Sequence, residues 1–197
     1  MSGETPFRIA LVVLILVTMP IGVYFRLRAA SGEKISHKDE GYLFAAVLRL
    51  TGLVFWIGLF GYLLFPDHFR WAQLPLPTWL RWLGLVIGLL CPLLLFWTFS
   101  SLGKNLTDTV VTRTNATLVT HGPYRFVRHP FYVTAALLLA SVTLLSASGW
   151  LGVCGVVILA LLTMRTPKEE QMLIERFGEK YREYMARTGR YFPRIGW

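Results

Sequence analysis

The sequence predicts an all-α integral membrane protein with about five transmembrane helices, the last two forming a helical hairpin, and a C-terminal cytoplasmic amphipathic helix. Two features of the composition support this fold class. More than half of the 197 residues are hydrophobic (54%), and the mean hydropathy of +0.52 is far above that of a soluble domain. The apolar residues also occur in long runs flanked by Lys and Arg, which is the arrangement that a bilayer selects.

Five apolar runs define the candidate spans. The first is about as long as the roughly 20 residues that a bilayer requires and lacks a small-residue cleavage site, so we interpret it as a retained anchor. The last two are shorter, and only Ala147, Ser148 and Gly149 separate them, which predicts a tight hairpin. The runs cover Phe7 to Phe25, Tyr42 to Phe65, Trp79 to Leu102, Phe131 to Ser146 and Trp150 to Met164.

Basic residues indicate the orientation. If the N-terminus is outside, sixteen of the 20 Lys and Arg residues lie on the inner side, as expected because short basic loops are retained in the cytoplasm. The protein is therefore expected to be multi-pass, with a cytoplasmic C-terminus and active site. Without a cleavable signal or organellar address, a prokaryotic inner membrane is the expected location. The net charge of +9 then matches anionic headgroups, and no nucleic-acid partner is expected.

The two cysteines, Cys91 and Cys154, lie in separate apolar runs without metal-like spacing, so neither a disulfide framework nor a metal site is expected. After Met164 the chain becomes polar and predicts a surface helix from Lys168 to Arg187. Pro167 suits the first turn of such a helix. An apolar stripe at helical spacing is expected to lie against the membrane face. It comprises Glu170, Leu173, Phe177, Tyr181 and Tyr184.

The first polar cluster is HGPYRFVRHPFY, residues 121–132, directly before the fourth apolar run. Pro130 is typical of a first helical turn, which places Arg128 and His129 at a helix N-terminus. Backbone N–H groups and the helix dipole favour an anion there, and Arg128 adds a bidentate contact. Snorkelling of Arg125 and Arg128 to headgroups is the alternative, but so many hydrogen-bonding side chains exceed what anchoring requires.

The second polar cluster is the pair Glu169 and Glu170. Acidic residues in a first turn are commonly only partners of the helix dipole. Glu170, however, shares the apolar stripe, and a carboxylate close to lipid requires a cation such as Arg128 or a positively charged ligand. Together the clusters offer one site for a carboxylate and one for an ammonium group. That is the charge pattern of an amino acid.

The pattern GPYRFVRHPFY, followed after a hairpin by EEQMLIERFGEKYREYMARTGRYFP, resembles the isoprenylcysteine carboxyl methyltransferases and their prokaryotic relatives, a family related to phospholipid methyltransferases. The upstream LGKNLTDTVV and LVTHGPYR are also similar to this family. The resemblance covers about Leu102 to Pro193 and is specific, because both halves, their order and the intervening hairpin agree. Thr134 is a departure, since relatives often have Gly at that position.

The resemblance implies a carboxyl O-methyltransferase that uses S-adenosylmethionine and acts at the membrane on a lipidic or prenylated acceptor, such as a prenylcysteine-like carboxylate. It separates N-terminal transmembrane helices, residues 1–101, from a catalytic region, residues 102–197, within one structural unit. The residues that it implies for cofactor binding are His121, Gly122, Pro123, Tyr124, Arg128, His129, Tyr132, Glu169 and Glu170.

Methyl transfer from a sulfonium is an in-line displacement, and an ionised carboxylate acceptor needs no general base. Arg128, Arg125 or Arg190 is then expected to orient the acceptor, with Glu170 in the same pocket. The hydrocarbon of the acceptor is expected to approach between helices, past aromatic side chains. The candidates for these are Phe55, Trp56, Phe96, Trp97 and Phe99.

Three alternative functions fit the same residues. A phospholipid or small-molecule N- or S-methyltransferase would need a base such as His129 or Glu170 for an amine acceptor. A non-catalytic membrane module would bind a lipid or nucleotide at the basic cluster. A sterol-reductase-like enzyme would use a nicotinamide cofactor. The identity of the cofactor therefore separates a methyltransferase, a reductase and a non-catalytic module.

Overall fold

The computed structural model describes residues 3–30, 42–103 and 117–194. In these residues the chain forms six α-helices and two short 3-10 helices, and the only β-pairing is in isolated bridges, so the all-α prediction is confirmed. The helices are α1 (Thr5–Ala30), α2 (Tyr42–Leu64), α3 (Thr78–Leu102), α4 (Pro130–Ser146), α5 (Gly149–Phe177) and α6 (Glu179–Arg187).

Part of the sequence interpretation falls outside the described residues. From Lys104 onward the motif LGKNLTDTVV is one such part. Four of the basic residues that support the predicted orientation also lie there, namely Lys34, Lys38, Lys104 and Arg113.

Four of the helices, α1, α2, α3 and α5, are long and apolar enough to cross a membrane. The chain is therefore an integral membrane protein. Helix α4 has 17 residues and is about 25 Å long, which is short for a hydrocarbon core of about 30 Å. Helix α5 has 29 residues and, at about 43 Å, is longer than that core. A total of five spans therefore stays a prediction.

The five long helices run in alternating directions, which gives the molecule two ends. At one end, called the Glu4 end, the carboxylate of Glu4 contacts the side chains of Tyr62 and Arg81, and Arg81 donates to the carbonyl of Leu145. At the opposite end, called the Glu170 end, the start of α4 contacts the last third of α5. The two predicted polar clusters lie at the Glu170 end.

The largest buried core lies toward the Glu4 end and consists of side chains from α1, α2, α4 and α5. Beside it, α3 packs closely along α4. A Cβ atom on Gly84 would lie 2.7 Å from the Cβ of Leu144, and one on Gly88 would lie 2.5 Å from the hydroxyl of Ser141. That hydroxyl donates to the carbonyl of Gly84 at 2.7 Å. Small residues one turn apart therefore allow the two backbones to approach.

Helices α4 and α5 form the predicted hairpin. Ala147 ends α4 in the left-handed conformation, with φ of 49°. Ser148 begins α5 as its N-cap, because its hydroxyl accepts the N–H of Leu151 at 3.4 Å. Two residues thus reverse the direction of the chain, and α5 runs back toward the Glu170 end.

The predicted surface helix from Lys168 to Arg187 is wrong in its start and in its continuity. Helix α5 continues through Pro167 to Phe177, and α6 follows as a separate helix. A proline inside a membrane helix is tolerated where hydroxyl groups hydrogen-bond the nearby backbone, as Thr166 does to a carbonyl one turn earlier. Gly178, with φ of 57°, separates α5 from α6.

The apolar stripe of that segment faces the protein itself, which corrects the expectation that it lies against the membrane. Glu170, Tyr181 and Tyr184 are buried, whereas Leu173 and Phe177 are half-buried. The break at the glycine turns α6 back onto the start of α4, so Leu173, Phe177, Tyr181 and Tyr184 of the stripe line an internal cavity, whereas Glu170 does not.

Candidate active site

A short backbone pairing brings the two polar clusters together. The N–H of Arg128 donates to the carbonyl of Gly189 at 2.9 Å, and the N–H of His129 donates to the carbonyl of Arg190 at 3.1 Å. A parallel bridge between Val127 and Gly189 precedes them. This pairing fixes the start of α4 against the segment after α6. The side chains of Arg128 and Arg190 consequently meet at one carboxylate.

That carboxylate belongs to Glu170, which is 3% exposed. Nε of Arg128 donates to Oε1 at 2.8 Å, and the guanidinium of Arg190 binds Oε2. Nε2 of His129 lies 3.3 Å from Oε1. A buried carboxylate is stable only with such partners, and in return its hydrogen bond raises the pKa of Arg190 above the ordinary value.

Glu169 forms a second layer beside this ion-pair cluster. The hydroxyl of Tyr132 donates to Oε2 of Glu169 at 2.7 Å. The imidazole of His129 stacks on the ring of Tyr132, with 5.3 Å between centroids, and the ring of Tyr191 packs beside both. The side chain of Glu169 is 27% exposed and, unlike that of Glu170, lines the internal cavity. Glu169 is therefore the more accessible of the two carboxylates.

Helix α6 contributes two buried tyrosines. The hydroxyl of Tyr184 donates to the carbonyl of Tyr124 at 2.6 Å. The hydroxyl of Tyr181 is buried and has no hydrogen-bond partner in the described residues. Burial raises the pKa of Tyr124, Tyr181 and Tyr184, so all three hydroxyls are neutral at physiological pH. Tyr181 is part of the cavity lining, and its hydroxyl has an unused capacity for a hydrogen bond.

The cavity has a volume of about 690 Å³, within the range of small-molecule sites, and extends from the ion-pair cluster between α2, α4 and α5. Its polar part is lined by Tyr124, Arg128, His129, Tyr132, Arg165 and Glu169. Its apolar part is lined by Gly52, Phe55, Trp56, Leu138, Leu139 and Ile158. Of the five aromatics expected along the path of the acceptor, Phe55, Trp56 and Phe99 line this cavity, whereas Phe96 and Trp97 do not.

The HGPYR turn, residues 121–125, is split by the structure. Gly122 has φ of 61°, and a Cβ atom there would overlap the hydroxyl of Ser101 at the end of α3, so the turn requires glycine. Pro123 is buried beneath the turn, and His121 is exposed. Of this turn, only Tyr124 lines the cavity. The predicted cofactor contacts of His121, Gly122, Pro123 and Tyr124 all stay predictions.

Arg125 lies apart from the ion-pair cluster. Its side chain is exposed, and the guanidinium stacks on the ring of Phe126 with 4.6 Å to the centroid. Arg128, three residues further along, points inward instead. The geometry therefore separates the arginines that were expected to orient an acceptor, and gives Arg125 no contact with the cavity.

Several site residues were missed in the sequence. The hydroxyl of Thr166 lies 2.6 Å from that of Tyr191, and Arg165 lines the cavity. Arg165 and Thr166 precede Glu169 and Glu170 by four residues, which is the spacing of one helix face. This spacing is visible in the sequence, but it was missed because the helix was predicted to begin at Lys168, after Arg165 and Thr166.

Comparison with known proteins identifies the central segment. Residues 82–175 match the family model of the isoprenylcysteine carboxyl methyltransferases (ICMT). This segment carries the similarity to that family. It covers a little under half of the chain and includes Arg128, Glu169 and Glu170. The family resemblance predicted from the sequence is thereby confirmed.

Two relatives extend the ICMT comparison. The cobalt-zinc-cadmium resistance protein CzcN of Cupriavidus metallidurans is 35% identical over 134 residues, which cover 65% of this chain and 56% of that protein. The structure of the eukaryotic intramembrane Ras methyltransferase ICMT aligns with a TM-score of 0.55 at 24% identity, covering 82% of this chain and 55% of the other. The chain thus has an ICMT-like fold and spans little more than half the length of either relative.

Proposed function

We propose that this protein is a methyltransferase that uses S-adenosylmethionine and acts at the membrane on a lipid-associated carboxylate, such as a prenylcysteine-like group. The observation that carries the proposal is the single cavity that joins a polar part beside Glu169 to an apolar part between α2, α4 and α5. A water-soluble methyl donor and an acceptor with a hydrocarbon chain need such a two-part site. The ICMT segment supplies most of its polar residues.

The residues of the polar part fit the proposed cofactor. The carboxylate of Glu169 suits a cationic ammonium or sulfonium group. The unpartnered hydroxyl of Tyr181 suits a polar atom, because a buried hydroxyl without a hydrogen bond is unfavourable. His129 and Tyr132 form a stacked aromatic surface at the same level. In this proposal Glu170, Arg128 and Arg190 act as positioning residues, because they bind one another.

When bound, S-adenosylmethionine supplies an electrophilic methyl group. The contribution of the chain is to hold the acceptor carboxylate in line, to exclude water and to leave the carboxylate ionised. No residue has to remove a proton. The packing of α6 over the start of α4 covers the polar part from one side and serves the exclusion of water.

Titration with S-adenosylhomocysteine, the demethylated cofactor, tests the cofactor class. Purified protein in lipid nanodiscs is expected to bind it saturably, and Glu169→Gln is expected to weaken binding about tenfold or more, because a charge-assisted contact is lost. Arg125→Gln is the matched control and is expected to bind normally. Absence of binding by folded protein, or unchanged binding by Glu169→Gln, would contradict the proposed site.

A second candidate, methylation of an amine on a phospholipid or small molecule, is favoured by one observation. Glu169 has an accessible carboxylate and His129 lies 3.9 Å from it, so a base for an amine acceptor is present. The stability of the methylated product in base distinguishes carboxylate methylation from amine methylation. A methyl ester releases methanol in mild base, whereas an N-methyl group is stable under the same conditions.

The cellular arrangement is also part of the proposal. We place the Glu170 end in the cytoplasm and the N-terminus outside, in a prokaryotic inner membrane, which is supported by the distribution of basic residues. The methyl donor can then reach the polar part from the aqueous side. The acceptor can enter the apolar part from the bilayer.

A further inference from the structure

Helix α2 places an arginine in the wall of the cavity. Arg49 is the eighth residue of α2, so its Cα lies about 10 Å along a helix that is apolar enough to cross a membrane. Arginine inside a membrane span is costly and usually marks a functional site or a path for a charged molecule. Arg49 lines the same cavity as the ion-pair cluster, and it lies outside the ICMT segment.

Besides Arg49, the arginines that line the cavity are Arg26, Arg128 and Arg165, and each of these three has an interaction of its own. Arg128 is bound to Glu170 and to two backbone carbonyls. Arg165 lies one turn before Glu169 on α5, beside the proposed cofactor site. Within residues 3–30, 42–103 and 117–194, the guanidinium of Arg49 makes no ion pair or hydrogen bond. Its five donors are available to an anion.

The part of the cavity wall that follows Arg49 along α2 is apolar. The next turns of α2 bring Gly52, Phe55 and Trp56 into the cavity wall, and α4 brings Leu138 and Leu139. A glycine one turn after the arginine leaves space beside the helix, since no atom lies within 4 Å of a Cβ built on Gly52. A hydrocarbon chain can lie along this wall while its charged group reaches the arginine.

We propose that Arg49 binds the carboxylate of a single-chain anionic amphiphile, and that it selects this class of acceptor for the site. The inference rests on the proposed function, since the acceptor is the substrate of methyl transfer. One carboxylate oxygen forms the new C–O bond as the C–S bond of the donor breaks and its electron pair goes to sulfur. The product is a methyl ester, and no proton is transferred.

Snorkelling to lipid headgroups is the competing explanation for Arg49, and two variants separate it from acceptor binding. Lysine snorkels as well as arginine, but it lacks the planar fork that binds a carboxylate through two hydrogen bonds. Arg49→Lys is therefore expected to weaken acceptor binding, although it preserves the charge. Arg28→Gln is the matched control, because Arg28 lies in the last turn of α1 and does not line the cavity.

The test measures binding of N-acetyl-S-farnesylcysteine and of its carboxamide to the full chain in nanodiscs. We expect wild-type protein and Arg28→Gln to prefer the carboxylate. In Arg49→Gln we expect affinity for the carboxylate to fall about tenfold or more while affinity for the carboxamide is unchanged. Arg49→Lys is expected to be intermediate.

Three outcomes would overturn the assignment of Arg49. These are unchanged carboxylate binding in Arg49→Gln, an equal loss for both probes, and no carboxylate binding by the wild-type protein. Titration of each variant with S-adenosylhomocysteine keeps the two proposals distinct. If wild-type protein does not bind S-adenosylhomocysteine, the proposed methyltransferase function is contradicted. If it binds S-adenosylhomocysteine normally but the Arg49 variants bind the carboxylate as wild type does, only the proposed acceptor site is contradicted.

Discussion

At the scale of single residues, the site depends on the different environments of two adjacent carboxylates. Glu170 is buried and bound by Arg128 and Arg190, whereas Glu169 is held mainly by one tyrosine and faces the cavity. The pairing of Glu170 with Arg128 could be inferred from the sequence, because a carboxylate on an apolar stripe needs a cation. The sequence could not show which of the two carboxylates is buried and which faces the cavity. Neighbouring residues on a helix point about 100° apart, and only the packing decides which one faces the cavity.

Two tyrosines of α6 provide a residue-scale prediction about ligand binding. Tyr181→Phe removes a hydroxyl that has no partner in the described residues, so the free energy of unfolding should not decrease. The affinity for S-adenosylhomocysteine should fall about two- to tenfold if the ligand provides that partner. Calorimetric titration and thermal unfolding in detergent measure both quantities.

Tyr184→Phe is the matched control for this pair. Its hydroxyl donates to the carbonyl of Tyr124, so its removal should cost about 1 kcal/mol of stability. A Tyr181→Phe variant with wild-type affinity, or with the larger loss of stability, would contradict the assignment of the free hydroxyl.

At the Glu4 end, a carboxylate predicts how stability depends on pH. The hydrogen bond from Arg81 holds the pKa of Glu4 below its usual range, with a further contribution from Tyr62. Its stabilising effect is therefore complete above the ordinary glutamate pKa of about 4.3 and is lost as the pH falls through the lowered value. The melting temperature of wild-type protein should decrease in this acidic window.

The variant Glu4→Gln isolates this contribution from the other carboxylates. Gln73 also contacts Glu4, and its amide does not titrate in this window. The difference in melting temperature between wild type and Glu4→Gln should be a few degrees near neutral pH and should shrink as the pH falls below the ordinary glutamate pKa. A difference that is independent of pH would show that the ion pair with Arg81 is not responsible.

At the scale of secondary-structure elements, hydropathy located every long helix but failed where a helix left the apolar region. Pro167 and the polar residues after it are typical of a new helix, yet α5 continues for ten residues beyond the proline. The sequence does not show where the helix ends, because the membrane span and its extension into water belong to one continuous helix. The real break is at Gly178, where a positive φ is required.

The contact of α3 with α4 predicts a sensitive position in the membrane region. Gly84→Leu should force the helices apart, because even a Cβ atom would lie 2.7 Å from the side chain of Leu144. Overpacking of this kind typically costs about 1–3 kcal/mol. Thermal unfolding in detergent should show the loss, whereas Gly52→Leu, built into open space on α2, should unfold near the wild-type temperature.

The Gly84 prediction also has a clear opposite result. If Gly84→Leu unfolds at the wild-type temperature and Gly52→Leu does not, the close approach of α3 and α4 is not a determinant of stability. The helix pair would then have to be held mainly by the buried side chains of the core.

At the scale of the whole molecule, alternating helices put the Glu4 and Glu170 clusters at opposite ends. The number and order of the apolar segments could be read from composition, and so could the hairpin. The cavity could not, because it depends on α2 packing against α5 while leaving space toward α4. The positions of Arg49 and Arg165 in its wall are therefore known only from the structure.

The separation of the two ends makes the topology testable. A C-terminal alkaline phosphatase, which is active only outside the cytoplasm, should be silent, and a C-terminal fluorescent reporter should be bright. An N-terminal tag should be accessible to antibody in intact spheroplasts. An active phosphatase fusion would contradict the orientation inferred from the Lys and Arg residues and would place the Glu170 end outside.

The backbone pairing between Arg128 and Gly189 also has a consequence for biosynthesis. Arg190 follows α1 to α6 in the chain, so it is translated after α4 and α5 have been synthesised. Glu170 must therefore pass through synthesis without its second arginine. The ion-pair cluster around Glu170 can be completed only after Arg190 has been translated. The nascent chain therefore has an incomplete site while its helices are being synthesised.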